Sequence, residues 1–332
     1  VPPLVSVVMP VRDGGAYLSA AVQSILDQTL ADLELIVVDD QSRDGATDRL
    51  ARDDTRMRLI RAEGQGVSAA FNTGLAQSRG AYVARMDADD IALPQRLEAQ
   101  IEFLEANPGV ALCGGCVEIF SAQGVAGGNR RYQAWLNACR VPEAIRRELF
   151  IESPIPNPTA FFRRTAIEAL GGYADPGWPE DYDLFLRADA MGMAMGKPDG
   201  VILRWREHEG RLTRTDDRYA LEAFQAAKIH YLARHRLDPA EQAVIWGAGP
   251  TGRLTHDLLV AEGVAVRGFL DVHPRRIGGE KRGLPVWPIE WLNENADAFV
   301  LAAVGASGAR GRIRRHLEGL GRREGEHYLF VA

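Results

Sequence analysis

Residues 81–90 read AYVARMDADD, an apolar run of strand character that ends in three carboxylates, Asp87, Asp89 and Asp90. Packing acids this densely at the end of a buried strand is unfavourable unless something positive sits among them. A divalent metal answers that requirement. Asp also caps helices, and Leu93-Pro94 opens one here with Pro94 near its first turn, so Asp90 reads as the cap of the helix that follows.

The segments before it repeat the pattern. LVSVVMP (4–10) is a short valine-rich run, as in a parallel strand covered on both faces, and a turn through Arg12, Asp13, Gly14 and Gly15 follows. Leu18, Val22, Ile25 and Leu26 recur at helical spacing. LELIVVDD (33–40) is a second strand that stops on acids, Asp39 and Asp40. A short helix near 46–52, a third strand at MRLIRAE (57–63) and a helix over 67–77 lead into the strand AYVARM. Such alternation predicts an α/β architecture, an open and largely parallel sheet flanked by helices, with ligands beyond the carboxyl ends of the strands. The Arg12-Asp13, Asp39-Asp40 and Asp87–Asp90 clusters should then converge on one cleft.

Leu97, Ile101 and Leu104 mark an amphipathic helix, and VALCGGCVEIF (110–120) reads as one strand. Cys113 and Cys116 have metal or redox spacing, but only Cys139 accompanies them, so they read as buried thiols. Residues 121–160 lose periodicity, and Ser153-Pro-Ile-Pro-Asn-Pro158 excludes regular helix there. A long irregular stretch of this kind predicts a surface that shapes a binding site, here for an acceptor. In 172–192 the pair Glu180-Asp181 opens a helix with Leu184, Phe185 and Ala188 on its apolar side; capping alone accounts for one of the two acids. VILRW (201–205) leads to Arg206-Glu207-His208, and Arg204, Arg206, His208 and Arg211 together suit a diphosphate and its metal.

A domain over 1–216, a helical linker over 217–240 and a second domain over 241–332 are expected, since 332 residues are long for one core. AVIWGAGPTGRLTHDLLVAEGVAVRGFLD (243–271) is strand, glycine-rich turn, helix and strand. Gly247, Gly249 and Gly252 have the spacing that brings a diphosphate to a helix N-terminus, and Asp271 ends the next strand where an acid can meet ribose hydroxyls. AFVLAAVG, a helix over 309–320 and HYLFVA complete a further unit. No His, Lys or Tyr grouping for dehydrogenase chemistry follows; His256 falls in the helix and His273 in a loop.

A hydrophobic content of 46% and a charged content of 25% describe an ordinary globular chain, and a net charge of −6 argues against a nucleic-acid partner held by a basic surface. With no leader pattern and no apolar run of bilayer length, a cytoplasmic location is expected; association at the inner membrane face and homo-oligomerisation stay open.

Several pieces in order and spacing, VSVVMPVRDGGAYLSAAVQSILDQT, LELIVVDDQSRDGATD, GVSAAFNTGLAQSRGAYVARMDADD, WPEDYDLFLR and LRWREHEGRLT, resemble a family-2 glycosyltransferase of the GT-A fold. The resemblance implies inverting transfer of a sugar from a nucleoside diphosphate, UDP foremost, to a hydroxyl of a saccharide or lipid-linked acceptor, assisted by Mn²⁺ or Mg²⁺, in bacterial polysaccharide or glycoconjugate synthesis. It implies that Asp40, with Asp39 beside it, reads the base, that Pro10 and Arg12 flank the base, and that Asn72 and Arg206 join the donor site. Asp87 and Asp89 match the Asp-x-Asp element, Asp89 for the metal and Asp87 for the donor ribose or sugar as well as the metal. His208 matches a residue that completes the metal or diphosphate site, and Asp181 of the Glu180-Asp181 pair matches the general base. Arg12 departs from the pattern, standing where many relatives place an aromatic residue, so the donor base stays open. The C-terminal segment resembles the Rossmann-like nucleotide-binding module of some bacterial sugar-modifying enzymes, which implies NAD(P) or another nucleotide there. Two alternatives remain: a nucleotide-sugar oxidoreductase or epimerase working through the C-terminal domain, and a non-catalytic sugar-nucleotide-binding or assembly protein.

Overall fold

The two valine-rich runs lie at the centre of a sheet because neither has a polar face to give to water. In the computed structural model, which describes residues 1–51, 53–238 and 242–332, β1 (Val5–Val11) is buried along its whole length. It pairs in parallel with β2 (Leu33–Asp39), Val5 opposite Leu33 and Val11 opposite Asp39. Helix α1 (Leu18–Leu26) connects them, burying Leu18, Ala21, Val22 and Ile25. Each fully buried Val or Leu contributes on the order of 2 kcal/mol. Next come β3 (Met57–Arg61), α2 (Val67–Gln77) and β4 (Tyr82–Arg85), followed by β5 (Ile91–Ala92) and α3 (Arg96–Ala106). The chain continues through β6 (Val110–Cys113), β7 (Cys116–Phe120), α4 (Gly127–Ala138), α5 (Pro142–Glu148), β8 (Phe161–Arg163), α6 (Arg164–Leu170), α7 (Glu180–Ala190), β9 (Ala194–Gly196), β10 (Val201–Arg206) and α8 (Leu212–Thr215).

The main sheet has seven strands in the order β3-β2-β1-β4-β8-β6-β9. All neighbours are parallel except β8, which runs antiparallel to both β4 and β6. A second sheet, β5-β10-β7, sets Ile91 opposite Arg204 in antiparallel register and Arg206 opposite Phe120 in parallel register. This small sheet brings the segment after β10 back onto the acids after β4.

The chain divides into two compact units, Val1–Ile145 with Pro154–Asp216, and Arg146–Ser153 with Asp217–Ala332. Residues 146–153, grouped with the N-terminal domain on sequence, thus pack in the second unit. There Ile151 joins the core of Val244, Trp246 and Leu270, Glu148 lies 3.4 Å from Arg310, and Lys228 Nζ donates to the Ile151 carbonyl at 2.5 Å. The second unit contains α9 (Leu221–His235), β11 (Ala243–Trp246), α10 (Pro250–Ala261), β12 (Val266–Leu270), β13 (Glu280–Lys281), β14 (Leu284–Trp287), β15 (Phe299–Ala302), α11 (Ala309–Gly319) and β16 (Tyr328–Phe330). Its sheet order is β13-β14-β12-β11-β15-β16, parallel but for β13. The order reverses beside β11, the switch point of a doubly wound sheet. No helix among the described residues is long and apolar enough to cross a membrane.

Three local expectations are corrected. The helix expected near 46–52 is a series of turns, with Arg52 outside the described residues. Asp44 accounts for it: one oxygen accepts from Ala46 N–H at 2.9 Å and the other from Gly15 N–H at 2.7 Å, bonds that hold the segment as a loop. The single strand expected over 110–120 breaks at Gly114-Gly115 into β6 and β7, which serve different sheets. Residues 121–160, expected to be irregular, contain α4 and α5; α4 opens on two glycines and buries only Leu136, so it carries little helical signal. The expected boundary at 240/241 lies outside the described residues.

At Gly74, α2 lies close against the sheet. A Cβ there would stand 2.4 Å from Val8 Cγ1 and 2.9 Å from Val38 Cγ2. Alanine is the better helix former by about 1 kcal/mol, but the overlap with two buried valines opposes it. Gly74→Ala is expected to destabilise the protein by about 1–3 kcal/mol net. Urea denaturation measures this, and an unchanged or raised midpoint would show that the sheet gives way at no cost.

Candidate active site

Parallel pairing of β1, β2 and β4 delivers three loops to one sheet edge. The loop after β1 and the loop after β2 are stapled together: Asp13 Oδ1 accepts from Arg43 N–H at 2.7 Å, and Asp13 N–H donates to Ser42 Oγ at 3.0 Å. Asp13 holds a φ of 52°, strained for a side-chain residue and held by these bonds, and Gln41, just before Ser42, has a φ of 60°. Pro10 is buried in β1 and Arg12 is exposed, its Nη1 3.8 Å from Asp40 Oδ2. Asp39 Oδ1 accepts from Ser42 N–H at 3.0 Å. Asp40 is buried; its Oδ2 accepts from Gly66 N–H at 3.0 Å, whereas Oδ1 is buried with no hydrogen-bond partner among the described residues. An orphaned buried carboxylate oxygen of this kind is a ready acceptor for a ligand N–H.

The three acids after β4 have three different partners. Asp87 Oδ1 accepts from Arg85 Nε at 3.0 Å. Asp89 Oδ2 lies 2.8 Å from His208 Nε2, and its carbonyl accepts from Arg206 Nε at 2.6 Å. Asp90 is buried and accepts from Arg206 N–H at 2.7 Å. It therefore ties β10 to the acidic loop and does not cap a helix, since α3 starts at Arg96. Burial, then the charges of Asp89 and Asp87, push the Asp90 carboxyl well above the ordinary range. The Arg206 guanidinium stacks between Tyr17 at 4.3 Å and Phe120 at 4.5 Å, and Tyr17 also meets the His208 ring at 5.3 Å. Arg204 and Arg211 pair instead with Glu118 at 3.1 Å and Glu207 at 3.0 Å.

Asp181 and Glu180 begin α7, whose first turn also carries Asp183. Asp183 accepts from Trp178 Nε1 at 2.9 Å and Arg187 Nε at 2.7 Å, and Arg187 reaches the Gly172 carbonyl at 2.9 Å, which fixes the approach to the helix. Asp181 is half-buried, with Oδ1 accepting from Tyr182 N–H at 2.7 Å. Burial, then the Glu180 charge, push its carboxyl up to about 7. Arg85 favours and Asp87 opposes the charge on Asp181.

Among the described residues no three His, Cys, Asp or Glu side chains gather to cage an ion. The Asp89–His208 pair instead offers one oxygen and one nitrogen side by side. That donor set fits Mn²⁺ or Mg²⁺ with the remaining ligands drawn from phosphate and water. Asn72, grouped with the donor site on sequence, commits both amide ends to the Tyr173 backbone: Oδ1 accepts at 2.9 Å and Nδ2 donates at 2.7 Å. Arg85 was passed over on sequence, although a charged residue inside an apolar strand two positions before Asp87 was the available signal.

In the second unit, Gly247 has φ 118°, and a Cβ on Gly252 would stand 1.7 Å from the Gly247 carbonyl oxygen, so the turn into α10 needs glycine at both places. Gly249 is the N-cap of α10. Asp271 is buried and engaged by its own chain: Oδ2 accepts from Ala248 N–H at 3.0 Å and Arg276 Nη1 at 2.9 Å, and Oδ1 from His273 N–H at 2.9 Å. Burial opposes its charge, but these bonds outweigh it and hold the carboxyl below the usual range.

Residues 6–171 match the model of glycosyl transferase family 2. EpsE of Bacillus subtilis, named as a glycosyltransferase, is 28% identical over 298 residues, spanning 85% of this chain and 97% of its own length. WfgD of Escherichia coli, named as a UDP-Glc:alpha-D-GlcNAc-diphosphoundecaprenol beta-1,3-glucosyltransferase, is 34% identical over 126 residues, 37% of this chain and 49% of its own length. The solved structure of S. aureus TarS residues 1–349 with UDP-GlcNAc shares the fold, with a TM-score of 0.57 and 16% identity over 77% of this chain and 71% of that one. The family model covers half of the 332 residues, from β1 through the acidic loop to the end of α6, and the chain is a glycosyltransferase of family 2.

Proposed function

We propose that this chain transfers a sugar, with inversion and with the help of a divalent cation, from a nucleoside diphosphate to a hydroxyl of a saccharide or lipid-linked acceptor. The relatives named above support a role in bacterial polysaccharide or glycoconjugate synthesis and UDP as the first nucleotide to test. One observation carries the reading: the acidic loop after β4 sets Asp89 Oδ2 2.8 Å from His208 Nε2, an oxygen and a nitrogen side by side at the carboxyl end of the sheet.

In this reading Asp40 receives a base N–H on its open Oδ1, with Pro10, Arg12 and Asp39 shaping the loop around it. Asp87 meets the donor ribose or sugar, and Asp89 with His208 would hold the cation. When bound, the cation supplies Lewis-acid neutralisation of the charge on the departing diphosphate. Arg206 adds a guanidinium at the same end, fixed by Tyr17 and Phe120. Asp181 takes the proton of the acceptor hydroxyl as its oxygen bonds the anomeric carbon and the bond to the diphosphate breaks. A single displacement inverts the anomeric centre, as NMR of the product would report; retention would remove this mechanism. A carboxyl held near neutrality by burial is a suitable base at physiological pH.

The base must be ionised, and its raised affinity for protons places the transition near 7. Accordingly kcat/KM should rise with pH through about 7, and Asp181→Asn should lower kcat by about 10²–10⁴-fold with donor affinity nearly intact. A profile flat from pH 5 to 8, or an active Asp181→Asn enzyme, removes Asp181 from this role.

Chelation is expected to abolish turnover and Mn²⁺ to restore it, with His208→Ala needing about tenfold more Mn²⁺ or greater. Activity indifferent to chelator would exclude the cation.

For the C-terminal unit the proposal narrows to a nucleotide diphosphate at the start of α10, because Asp271 is committed to Ala248, His273 and Arg276. Calorimetric titration with NAD⁺ should register binding to the wild type that Gly249→Val loses, and with UDP the wild type should titrate one more site than Gly249→Val; heats identical in the two proteins for both nucleotides would refute it.

A further inference from the structure

Arg85 is a cation in an otherwise apolar strand, its side chain only 4% exposed. Its Nε donates to Asp87 Oδ1 at 3.0 Å and its Nη2 lies 3.0 Å from the same oxygen, so one edge of the guanidinium is set against one carboxylate oxygen. The guanidinium lies over the rings of Tyr173 at 5.1 Å and Phe71 at 5.7 Å, which pack on each other at 4.6 Å. Tyr173 is pinned in turn, its hydroxyl donating to Asn157 Oδ1 at 2.6 Å and its backbone held at both ends by Asn72. The Arg85 carbonyl accepts from Arg96 Nη2 at 2.6 Å. Burying an Arg–carboxylate pair gives little net stability, since desolvation consumes most of the Coulomb gain. So much support for one guanidinium has its explanation in what the guanidinium orients.

We propose that Arg85 is a positioning residue for both halves of the transfer, its fork fixing Asp87 on the donor side while its charge faces Asp181 on the acceptor side. Glu180 beside it, the Tyr182 N–H, Arg85 and Asp87 act on Asp181, and the buried phenol of Tyr173 lies in the field of Arg85, Asp181, Glu180 and Asp87. Of these charged groups only Arg85 favours an ionised Asp181. The same cation that holds the donor carboxylate therefore keeps the base ready. The inference rests on the reading of Asp181 as base.

The test compares Arg85→Met and Arg85→Lys in steady-state kinetics across pH, with thermal melting as the check on folding. Arg85→Met should raise the donor KM and move the acidic limb of kcat/KM to higher pH, on the order of one unit. Arg85→Lys keeps the charge but loses the fork. It should leave the limb near its wild-type position while the donor KM stays raised. A limb and a donor KM unchanged in Arg85→Met would overturn the proposal, as would a limb that moves equally in both variants. If Arg85→Met does not fold, Arg85→Lys decides alone: a raised donor KM with an unmoved limb supports the clamp, and a wild-type KM overturns it. Asp181→Asn in the same assay separates the two ideas, since a surviving limb there defeats the base assignment and the acceptor half of the proposal, leaving the donor KM to judge the clamp.

Discussion

Three carboxylates within four residues at the end of a buried strand are the constraint on which this site is built. Like charges so close raise one another's proton affinity, and burial adds to the effect. The chain answers with a different partner for each. Arg85 pairs with Asp87 from within the strand, His208 meets Asp89 from the segment after β10, and the Arg206 N–H takes the buried Asp90. Two of the three partners come from β10 and its extension. The antiparallel pairing of β5 with β10 is thus the element that makes the acidic loop tenable, and Asp90 is the bond that holds that pairing at the loop.

The central strands were legible because β1 and β2 are buried on both faces and their valine runs permit no other reading. The acidic ends were legible because charge at the edge of such a run is conspicuous. What escaped was structure stabilised by distant or polar partners. α4 buries little more than Leu136 and starts on glycines, so no periodicity betrays it. Residues 110–120 are uniformly apolar, and the apolar pattern has no means of marking the point at Gly114-Gly115 where the chain leaves one sheet for the other. Among the site residues, acids and His208 stood out by type. Asn72 did so by its neighbours in sequence, yet its amide is satisfied by the backbone of a residue a hundred positions away, a relation no local pattern carries. Asp271 shows the same limit: its place after β12 was readable, but its bonds to Ala248 and Arg276 were not.

The two units handle acids at strand ends in opposite ways. In the second, Asp271 is satisfied within its own chain and its carboxyl is held down in pKa. In the first, Asp40 keeps a buried oxygen without a partner among the described residues, Asp90 is pushed up, and so is Asp181. Groups left short of hydrogen bonds or charge balance inside a fold mark places where a ligand completes the network. Among these acids that mark falls on Asp40, Asp90 and Asp181 of the first unit, whereas Asp271 serves to hold a turn.

The sign of the linkage makes the same point thermodynamically. Asp181 has a folded-state pKa near 7, above its unfolded value of 3.8. A carboxyl raised in the folded state contributes stability that is fully present below the unfolded pKa and lost as pH rises through the folded one. At neutral pH and above, the ionised base therefore weighs against folding, as the buried Asp90 carboxyl does when it loses its proton. A bound nucleotide and its cation favour the folded state by mass action, and they do so most where cationic charge offsets these acids. Stability and readiness for transfer are opposed at the same residues. A neutral residue at Asp181 should make the fold more stable as it removes the base, a combination that loss of structure alone does not produce.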